Sequence, residues 1–483
     1  MMEDWVECTL GEILSVSSGK GLTSKNMDGG KYPVYGGNGI TGYHSKKIFD
    51  EKKLIIGRVG VRCGVTHITN RESWVTDNAL VVTLKNNCFN LSFMKLKLQF
   101  ANLNKLSSST AQPVISGTKI YSYQTEFPPV PIQRAIVSKI ESLFSSLDSG
   151  IADLIKAQEQ LRIYRQAVLK KAFEGNLTKE WREKQTELPS AEELLKHIED
   201  KRQKYYGNQI ADWSNMVMLW EKNRKVGKKP GKPKALKSAE PFTEIEIDRK
   251  DKLPNNWSWT KLGNVFQVFV GSTPSRRIAS YWNEGEINWV SSGEVKFKPI
   301  AFTKEKISIE GLQNTSTIVH PIGTVMLAMI GEGKTRGQAG ILKIEACHNQ
   351  NTAAIRVSEM GMEPKFLFHY FFLKYERNRS VGSGNNQKAL NQGRILNFDF
   401  PLCSVNEQNQ VVKEIESRLS VCDKVEKDIN DSLVKAKALR QSILKKAFGG
   451  KLLTVAEIER CKQEADYEPA SVLLERIKKE KKK

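Results

Sequence analysis

The sequence predicts an α+β protein written twice. Two tandem α+β domains are separated by two long antiparallel coiled-coil helices, the whole forming a pseudo-twofold internal repeat. Three observations predict this. The chain has 483 residues, roughly three units at about 150 residues each. Segments recur in the same order at a separation far longer than any solenoid period. Two stretches of about 40 residues carry apolar side chains at heptad spacing. With 39% hydrophobic and 27% charged residues, the chain can bury real cores.

The repeat is visible directly. RQAVLKKAFEGNLT (165–178) returns as RQSILKKAFGGKLLT (440–454), so Phe173 corresponds to Phe448. LGEILSVSSG (10–19) follows Trp5, and LGNVFQVFVG (262–271) follows Trp257. LIIGRVG (54–60) matches VMLAMIG (325–331), and DNALVV (77–82) matches QNTAAI (350–355). The offset drifts from 252 to 275, so the second copy has insertions early and none late. PSAEELLKHIEDKRQK (189–204) also resembles PASVLLERIKKEKKK (469–483).

Taken in order, residues 1–131 form the first domain. YPVYGGNGITGYHS is rich in glycine and aromatics with turn signals, and LIIGRVG and ALVVTL are short β-branched runs. LSFMKLKLQFANL (91–103) reads as helix. Prolines in EFPPVP (126–131) end the strand region, and a helix spans 132–176. Its heptad positions hold Ile136, Leu143, Ala157 and Tyr164 in one row. Ile140, Leu147, Leu154, Leu161 and Val168 form the other, with Gly150 the only break. Residues 177–250 are first amphipathic helix (Leu188, Leu194, Leu195, Ile198). They then become a basic Pro/Gly linker, KNRKVGKKPGKPKALK (222–237), with eight basic residues and no acid, an extended tether. The second domain, 251–405, repeats the pattern, with INWVSSGEV, TVMLAMIG and TAAIRV as strands and KFLFHYFFLKYERNRS (365–380) as helix. After DFPLCSV (399–405) the second helix spans 406–449. Val411, Val425 and Leu439 form one row, Ile415, Cys422, Ile429, Ala436 and Ile443 the other. Arg418 and Ser432 interrupt the first row, each beside a leucine (Leu419, Leu433). Residues 450–483 read as a basic C-terminal tail.

Lysine and arginine total 75 against 54 acidic residues, a formal charge of +21. Such an excess points to a polyanionic partner, foremost nucleic acid. No apolar run approaches the roughly 18 residues of a spanning helix, which argues against a membrane. MMEDWVECTL lacks a secretory pattern. The seven cysteines are scattered without CxxC, which fits a reducing cytoplasm.

No catalytic constellation emerges. GEGKT (331–335) lacks the upstream glycine of a phosphate loop, and Gly331 falls opposite Gly60, where the repeat has no such motif. FPPV (127–130) has Phe127 where amino-methyltransferases need Asn or Asp. The six histidines show no zinc spacing, and Glu294-Val-Lys296 has no upstream acid to complete a nuclease motif. The chain is expected to be no enzyme and to hold no metal. Recognition equipment remains. In the first domain the candidates are Asn38, Tyr43, His44, Arg58, Arg62, Asn78 and Gln112. In the second they are Arg276, Arg277, Lys334, Arg336, Asn351, Asn385, Asn386, Gln387 and Lys388. Arginine pairs bidentately with guanine, and Asn or Gln with adenine.

Trp5 and Trp257 before Leu-Gly, YPVYGGNGITGY, GSTPSRRIASYW (271–282) and the proline-to-helix junctions together resemble the specificity subunit of type I restriction–modification systems. So do the endings LKKAFEGNLTKEWRE and LKKAFGGKL. The resemblance covers nearly the whole chain. PLCSV at 401–405 departs from a fuller proline run, and 205–250 is an unusually long insertion. The resemblance implies a subunit that reads double-stranded DNA, each domain recognising one half of an asymmetric bipartite site. The helices would set the gap. Two adenine-N6 methyltransferase subunits using S-adenosylmethionine, and restriction/translocase subunits using ATP and Mg, would supply the chemistry. The contrasting reading is a nucleic-acid-binding scaffold without methyltransferase partners.

Overall fold

The computed structural model describes residues 4–60, 62–85, 89–107, 113–223, 225, 229–233, 238–331, 333–380 and 389–480. The chain divides into two compact units, Met1–Ala157 with Asp428–Lys483, and Gln158–Lys427. Each long helix therefore contributes one end to each unit, so the sequential helix limits at 132 and 406 are not unit boundaries.

In the first unit the strands are β1 (Val6–Thr9), β2 (Leu14–Ser18), β3 (Tyr32–Gly36), β4 (Gly39–His44), β5 (Leu54–Gly57), β6 (Thr66–Ile68), β7 (Trp74–Val75), β8 (Ala79–Leu84) and β9 (Gln124–Phe127). They form a four-stranded sheet β2-β8-β5-β6, a three-stranded sheet β4-β3-β7 and the pair β1-β9. β3 and β7 run parallel; the other pairs are antiparallel. The four-stranded sheet is a middle layer. Leu54, Ile56, Leu80 and Val82 face a core with Phe93, Met94 and Leu98 of the helix Leu91–Ala101. Ile55 and Val81 face Tyr35 and Val75 of the three-stranded sheet. Strands covered on both sides read as unbroken apolar runs, which is why LIIG and ALVV do not alternate. Asn90 caps the helix, its Oδ1 accepting from the Phe93 N–H at 3.0 Å.

The first long helix, Val130–Phe173, has 44 residues and is about 66 Å long. Buried Gln133 ties down its start, donating to the Pro128 carbonyl at 2.8 Å and accepting from Asn90 N–H at 2.9 Å. Ile132, Ile136 and Ile140 share a core with Ile443, Leu444, Ala447 and Phe448. These belong to the C-terminal end of the second long helix, Val405–Phe448, so within this unit the helices run antiparallel. Asp148 pairs with Arg440, whose guanidinium lies 4.4 Å from the Phe144 ring.

The second unit repeats this topology strand for strand. Its strands are β10 (Ser258–Lys261), β11 (Gln267–Val270), β12 (Ile287–Val290), β13 (Glu305–Ile307), β14 (Val325–Ala328), β15 (Ala339–Ile341), β16 (Cys347–His348), β17 (Thr352–Arg356) and β18 (Asp399–Leu402). The sheets are β11-β17-β14-β15, β13-β12-β16 and β10-β18, with β12 and β16 parallel as β3 and β7 are. The duplicated phenylalanines occupy matching slots. Phe448 packs on Phe93 (ring centroids 5.7 Å apart) and Phe100 (5.2 Å); Phe173 packs on Phe366 (5.0 Å) and Tyr370 (5.1 Å). In this unit Arg165 bridges Asp423 at 2.7 Å and Glu426 at 2.9 Å across the helix pair.

One seam row of the second long helix is as expected: Ile415, Cys422, Ile429, Ala436 and Ile443 are all buried. The other row holds at Val411, which is buried, and is corrected beyond it. Val425 and Leu439 are 40% and 51% exposed, as is Tyr164 at 47%. Leu419, Glu426, Leu433 and Arg440 take the half-buried positions instead. Long charged side chains cover the seam with their stems while their heads pair across it.

The expected basic tail is also corrected. It carries two helices, Val455–Lys462 and Ala470–Glu480. Cys461, Ala470, Leu473, Leu474 and Ile477 are buried in the first unit's core. An apolar stripe at i, i+3, i+4, i+7 outweighs the basic composition, because the lysines occupy the opposite face. In the 177–250 segment, Ser190 and Glu193 form a capping box for the 32-residue helix Ala191–Lys222. Where the basic linker is described it lies along this helix: Trp213 Nε1 donates to the Pro230 carbonyl at 3.0 Å, and Lys232 lies 5.8 Å from the Trp213 ring.

Candidate nucleic-acid interface

The residues singled out in the first unit fall into two groups. Asn38, Arg58, Arg62 and Asn78 lie together on loops at one end of the sheets. The Arg58 N–H donates to the Asn78 carbonyl at 2.9 Å, and the Arg58 carbonyl accepts from Ile115 N–H at 3.0 Å. The Gly64 N–H closes the loop on the Gly57 carbonyl at 2.8 Å. A Cβ on Gly57 would stand 2.4 Å from the Gly37 carbonyl oxygen, so only glycine lets the hairpin turn carrying Asn38 approach the Arg58 loop. Asn38, Arg62 and Asn78 are exposed and Arg58 half-exposed. Arg58 Nη1 donates to Ser18 Oγ at 3.3 Å. Tyr43 and His44 lie at the far end of β4, about 17 Å along the strand from the turn. His44 is engaged there. Its Nδ1 is 3.2 Å from Asp28 Oδ1, out of line for a hydrogen bond, and its ring meets Trp74 edge-on at 5.4 Å. Asp28 is held at a pKa of about 2, chiefly by its hydrogen bond from Ser45.

The second unit builds the same loop frame from different side chains. The Met329 N–H donates to the Asn351 carbonyl at 2.9 Å, and the Met329 carbonyl accepts from Leu390 N–H at 2.9 Å. The Gly337 N–H bonds the Ala328 carbonyl at 2.8 Å. Met329 thus stands where the first unit has Arg58. Gly60 and Gly331 both have positive φ, +80° and +124°, so the glycine of GEGKT is a turn residue, as the repeat implied. Lys334 and Arg277 are exposed. Arg276 is braced, donating through Nη2 to Glu305 at 2.9 Å, with Cζ 3.5 Å from the Trp282 ring centroid. That pairing raises the Arg276 pKa and lowers that of Glu305.

Arg336 corrects the expectation of an exposed loop cation. It is buried, its Nε donating to the Arg379 carbonyl at 3.1 Å. Asn351 is half-buried and serves the frame through its backbone, its N–H bonding Asn349 Oδ1 at 3.1 Å. Gln112, Asn385, Asn386, Gln387 and Lys388 lie outside the described residues. Sequence reasoning passed over Ser18, Lys20, Thr273 and Gln350, which flank the same loops. Their only signal was position, beside the repeated Gly19 and Gly271 and beside Asn351.

A buried histidine pair supports the second unit's loop. Arg356 Nε donates to His320 Nδ1 at 3.2 Å, leaving His320 Nε2–H to donate to His348 Nε2 at 3.2 Å. His348 Nδ1–H then faces Thr352 Oγ1 at 2.7 Å and the Asn349 carbonyl at 3.1 Å. Burial, then His348 and Arg356, push His320 down to about 2; burial pushes His348 down to about 4. Both rings are neutral at neutral pH and act as rigid relays. No group of three or more His, Cys, Asp or Glu among the described residues could hold a metal ion. Glu294 of the Glu-Val-Lys triplet is a cap, accepting from Ser291 N–H and Lys304 N–H, each at 2.8 Å.

The model of the type I restriction modification DNA specificity domain matches residues 2–157 and 254–435. The chain belongs to this family. The type I restriction enzyme EcoBI specificity subunit of Escherichia coli is 23% identical across 99% of this chain and 93% of its own length. The EcoDI specificity subunit of the same species is also 23% identical, over 99% and 95%. Among solved structures, one described as the structural basis of complex assembly and conformational transition of the type I R-M system matches with TM-score 0.63. It has 15% identity and covers 93% of this chain and 98% of that one. The HsdS subunit from Thermoanaerobacter tengcongensis matches with TM-score 0.52, 15% identity and 94% and 98% coverage. The matched segments hold both loop frames and most of both long helices. This specificity-family chain is a DNA-recognition subunit of a restriction–modification system. No helix among its described residues is long and apolar enough to cross a membrane.

Proposed function

We propose that the domains at 1–131 and 251–405 each read one half of an asymmetric bipartite duplex site. The helices at 132–176 and 406–449 then set the gap between halves and dock two adenine-N6 methyltransferase subunits. One observation carries this reading: two loop frames with matching backbone hydrogen bonds expose different side chains, because Arg58 of the first is half-exposed while Met329 in its place is buried in the core, leaving Lys334 as an exposed cation of the second loop. A shared frame with altered side chains is what two readers of different sequences require. In this reading methylation with S-adenosylmethionine, ATP hydrolysis with Mg, and cleavage reside in partner subunits, and the chain works in the cytoplasm.

Methylation sequencing of host DNA with and without the gene tests this. Loss of one bipartite, non-palindromic adenine-methylated motif on deletion is expected. A motif set unchanged by deletion overturns the reading in favour of the scaffold. Inserting one heptad into the exposed middle of both long helices should lengthen the gap and leave the half-sites unchanged.

A further inference from the structure

The second unit contains a small cationic cavity away from the loop tips. It encloses about 200 Å³ and is lined by Tyr370, Lys374, Arg377, Arg394, Asn397 and Asp399, among others. Its one carboxylate, Asp399, is already engaged by Lys250 and by Arg377 at 3.1 Å. Lys374 lies 5.8 Å from the Tyr370 ring and joins no ion pair among the described residues. Its pKa is lowered, first by burial and then by Arg377. Burial and Arg377 outweigh the attraction of Asp251 and Asp399, so Lys374 is an under-compensated cation at the cavity wall.

The duplicated position is built differently. By the repeat offsets, Ala101, Lys119 and Gln124 stand in the first unit where the second has Lys374, Arg394 and Asp399. Lys119 keeps the cation of Arg394, but Ala101 and Gln124 lack the charges of Lys374 and Asp399, so only the second unit sets a lysine and a carboxylate at these two positions. The cavity also adjoins the loop frame. Arg377 sits on the short helix Tyr375–Ser380, whose Tyr375 hydroxyl donates to the Lys334 carbonyl and whose Arg379 carbonyl accepts from Arg336.

We propose that this cavity binds a phosphate group, with Lys374 and Arg394 as its ligands and Arg377 oriented by Asp399. The group is either a backbone phosphate of the duplex read by the adjacent loops or free phosphate. The duplex case rests on the DNA-recognition reading above; the cavity itself does not.

The test uses the full chain as wild type, Lys374→Ala/Arg394→Ala, and the milder Lys374→Gln and Lys374→Arg, each checked by melting. Inorganic phosphate is titrated by calorimetry at low ionic strength. The methylated-site duplex is titrated across a salt series. The double variant should bind phosphate about tenfold more weakly or worse, with Lys374→Arg retaining binding. If the phosphate belongs to DNA, the slope of log K against log salt becomes shallower by about 0.9 for each phosphate no longer neutralised, with the motif unchanged. Weakened phosphate binding with an unchanged slope assigns the site to free phosphate. If the double variant fails to fold, Lys374→Gln carries the same comparison. Unchanged phosphate affinity and unchanged slope in folded variants overturn the proposal. Failure of the wild type to bind any duplex sinks the DNA reading instead, and the phosphate titration still judges the cavity.

Discussion

Arg58 and Arg336 look alike in sequence, each on a glycine-rich loop after a buried strand, yet burial separates their roles. Arg58 is half-exposed, whereas Arg336 is buried against a carbonyl. Arg58→Ala is expected to weaken duplex binding by about 1–3 kcal/mol and to shift stability by no more than about 0.5 kcal/mol. Arg336→Ala should cost about 1–3 kcal/mol of stability, because it removes a buried hydrogen bond and strands the carbonyl. Paired denaturation and duplex-binding curves check both. Glu407 is a second case. Its carboxylate is fully buried and accepts from Thr178 Oγ1 and Arg182 Nε, each at 2.8 Å, and from Asn256 at 3.2 Å. Glu407→Ala leaves Arg182 without its anion and should cost about 3–5 kcal/mol, read as a lower denaturation midpoint. The histidines set a pH dependence. His369, like His348, is pushed down to about 4 by burial, and His320 to about 2. As pH falls below about 6.5 the unfolded histidines take up protons. The folded ones do so only at much lower pH, so acid favours unfolding. Each should remove about 1.4 kcal/mol per pH unit through this window. Denaturation at pH 7.5, 6 and 5 should show the second unit weakening first; identical midpoints would contradict the assignment.

At the scale of elements, the repeated LKKAF ending is the clearest device. Phe173 and Phe448 end the two long helices and each fills an aromatic slot in one unit's core. In the first unit Lys97 reinforces the slot, its ammonium 5.2 Å from the Phe448 ring and 5.4 Å from Trp5. The C-terminal helix Ala470–Glu480 closes the same core, with Lys478 paired to Glu12 at 2.9 Å. Leu473→Ala should cost about 2–5 kcal/mol, measured by chemical denaturation. A solvated tail would predict no change. On the long helices, Ile429→Ser should destabilise while Val425→Ser stays near neutral, because only Ile429 lies in the seam.

At the scale of the molecule, duplication supplies two frames and divergence makes them unequal. Both units share strand orders and the parallel pair beside the loop frame. They differ at Arg58 against Met329, and in the braced Arg276 of the second unit alone. A chain of formal charge +21 should also bind duplexes with a strong salt dependence. In the proposed reading specificity comes from the loops rather than from charge, so neutralising surface lysines should lower affinity without altering the methylated motif.

Much of this was legible in the sequence because it is written in local periodicity and repetition. The duplicated α+β architecture, the strand runs and the buried Ile415-to-Ile443 row follow from spacing that survives any tertiary arrangement. The loop frame was legible as glycine and polar residues at matching offsets. Which side chain on those loops reaches solvent was not. Arg336 turns inward because the Arg379 carbonyl offers it a buried partner, and Asn351 serves through its backbone. The basic composition of 450–483 hid a helical stripe whose apolar face is decided by the core it meets. Likewise the second seam row fell on Glu426 and Arg440 rather than Val425 and Leu439. Which neighbouring row faces the partner depends on ion pairs that only the packed helices bring together. Sequence alone determined the repeated elements; burial and pairing across distant segments, which only the tertiary structure decides, determined which charges hold the fold and which stay exposed to solvent.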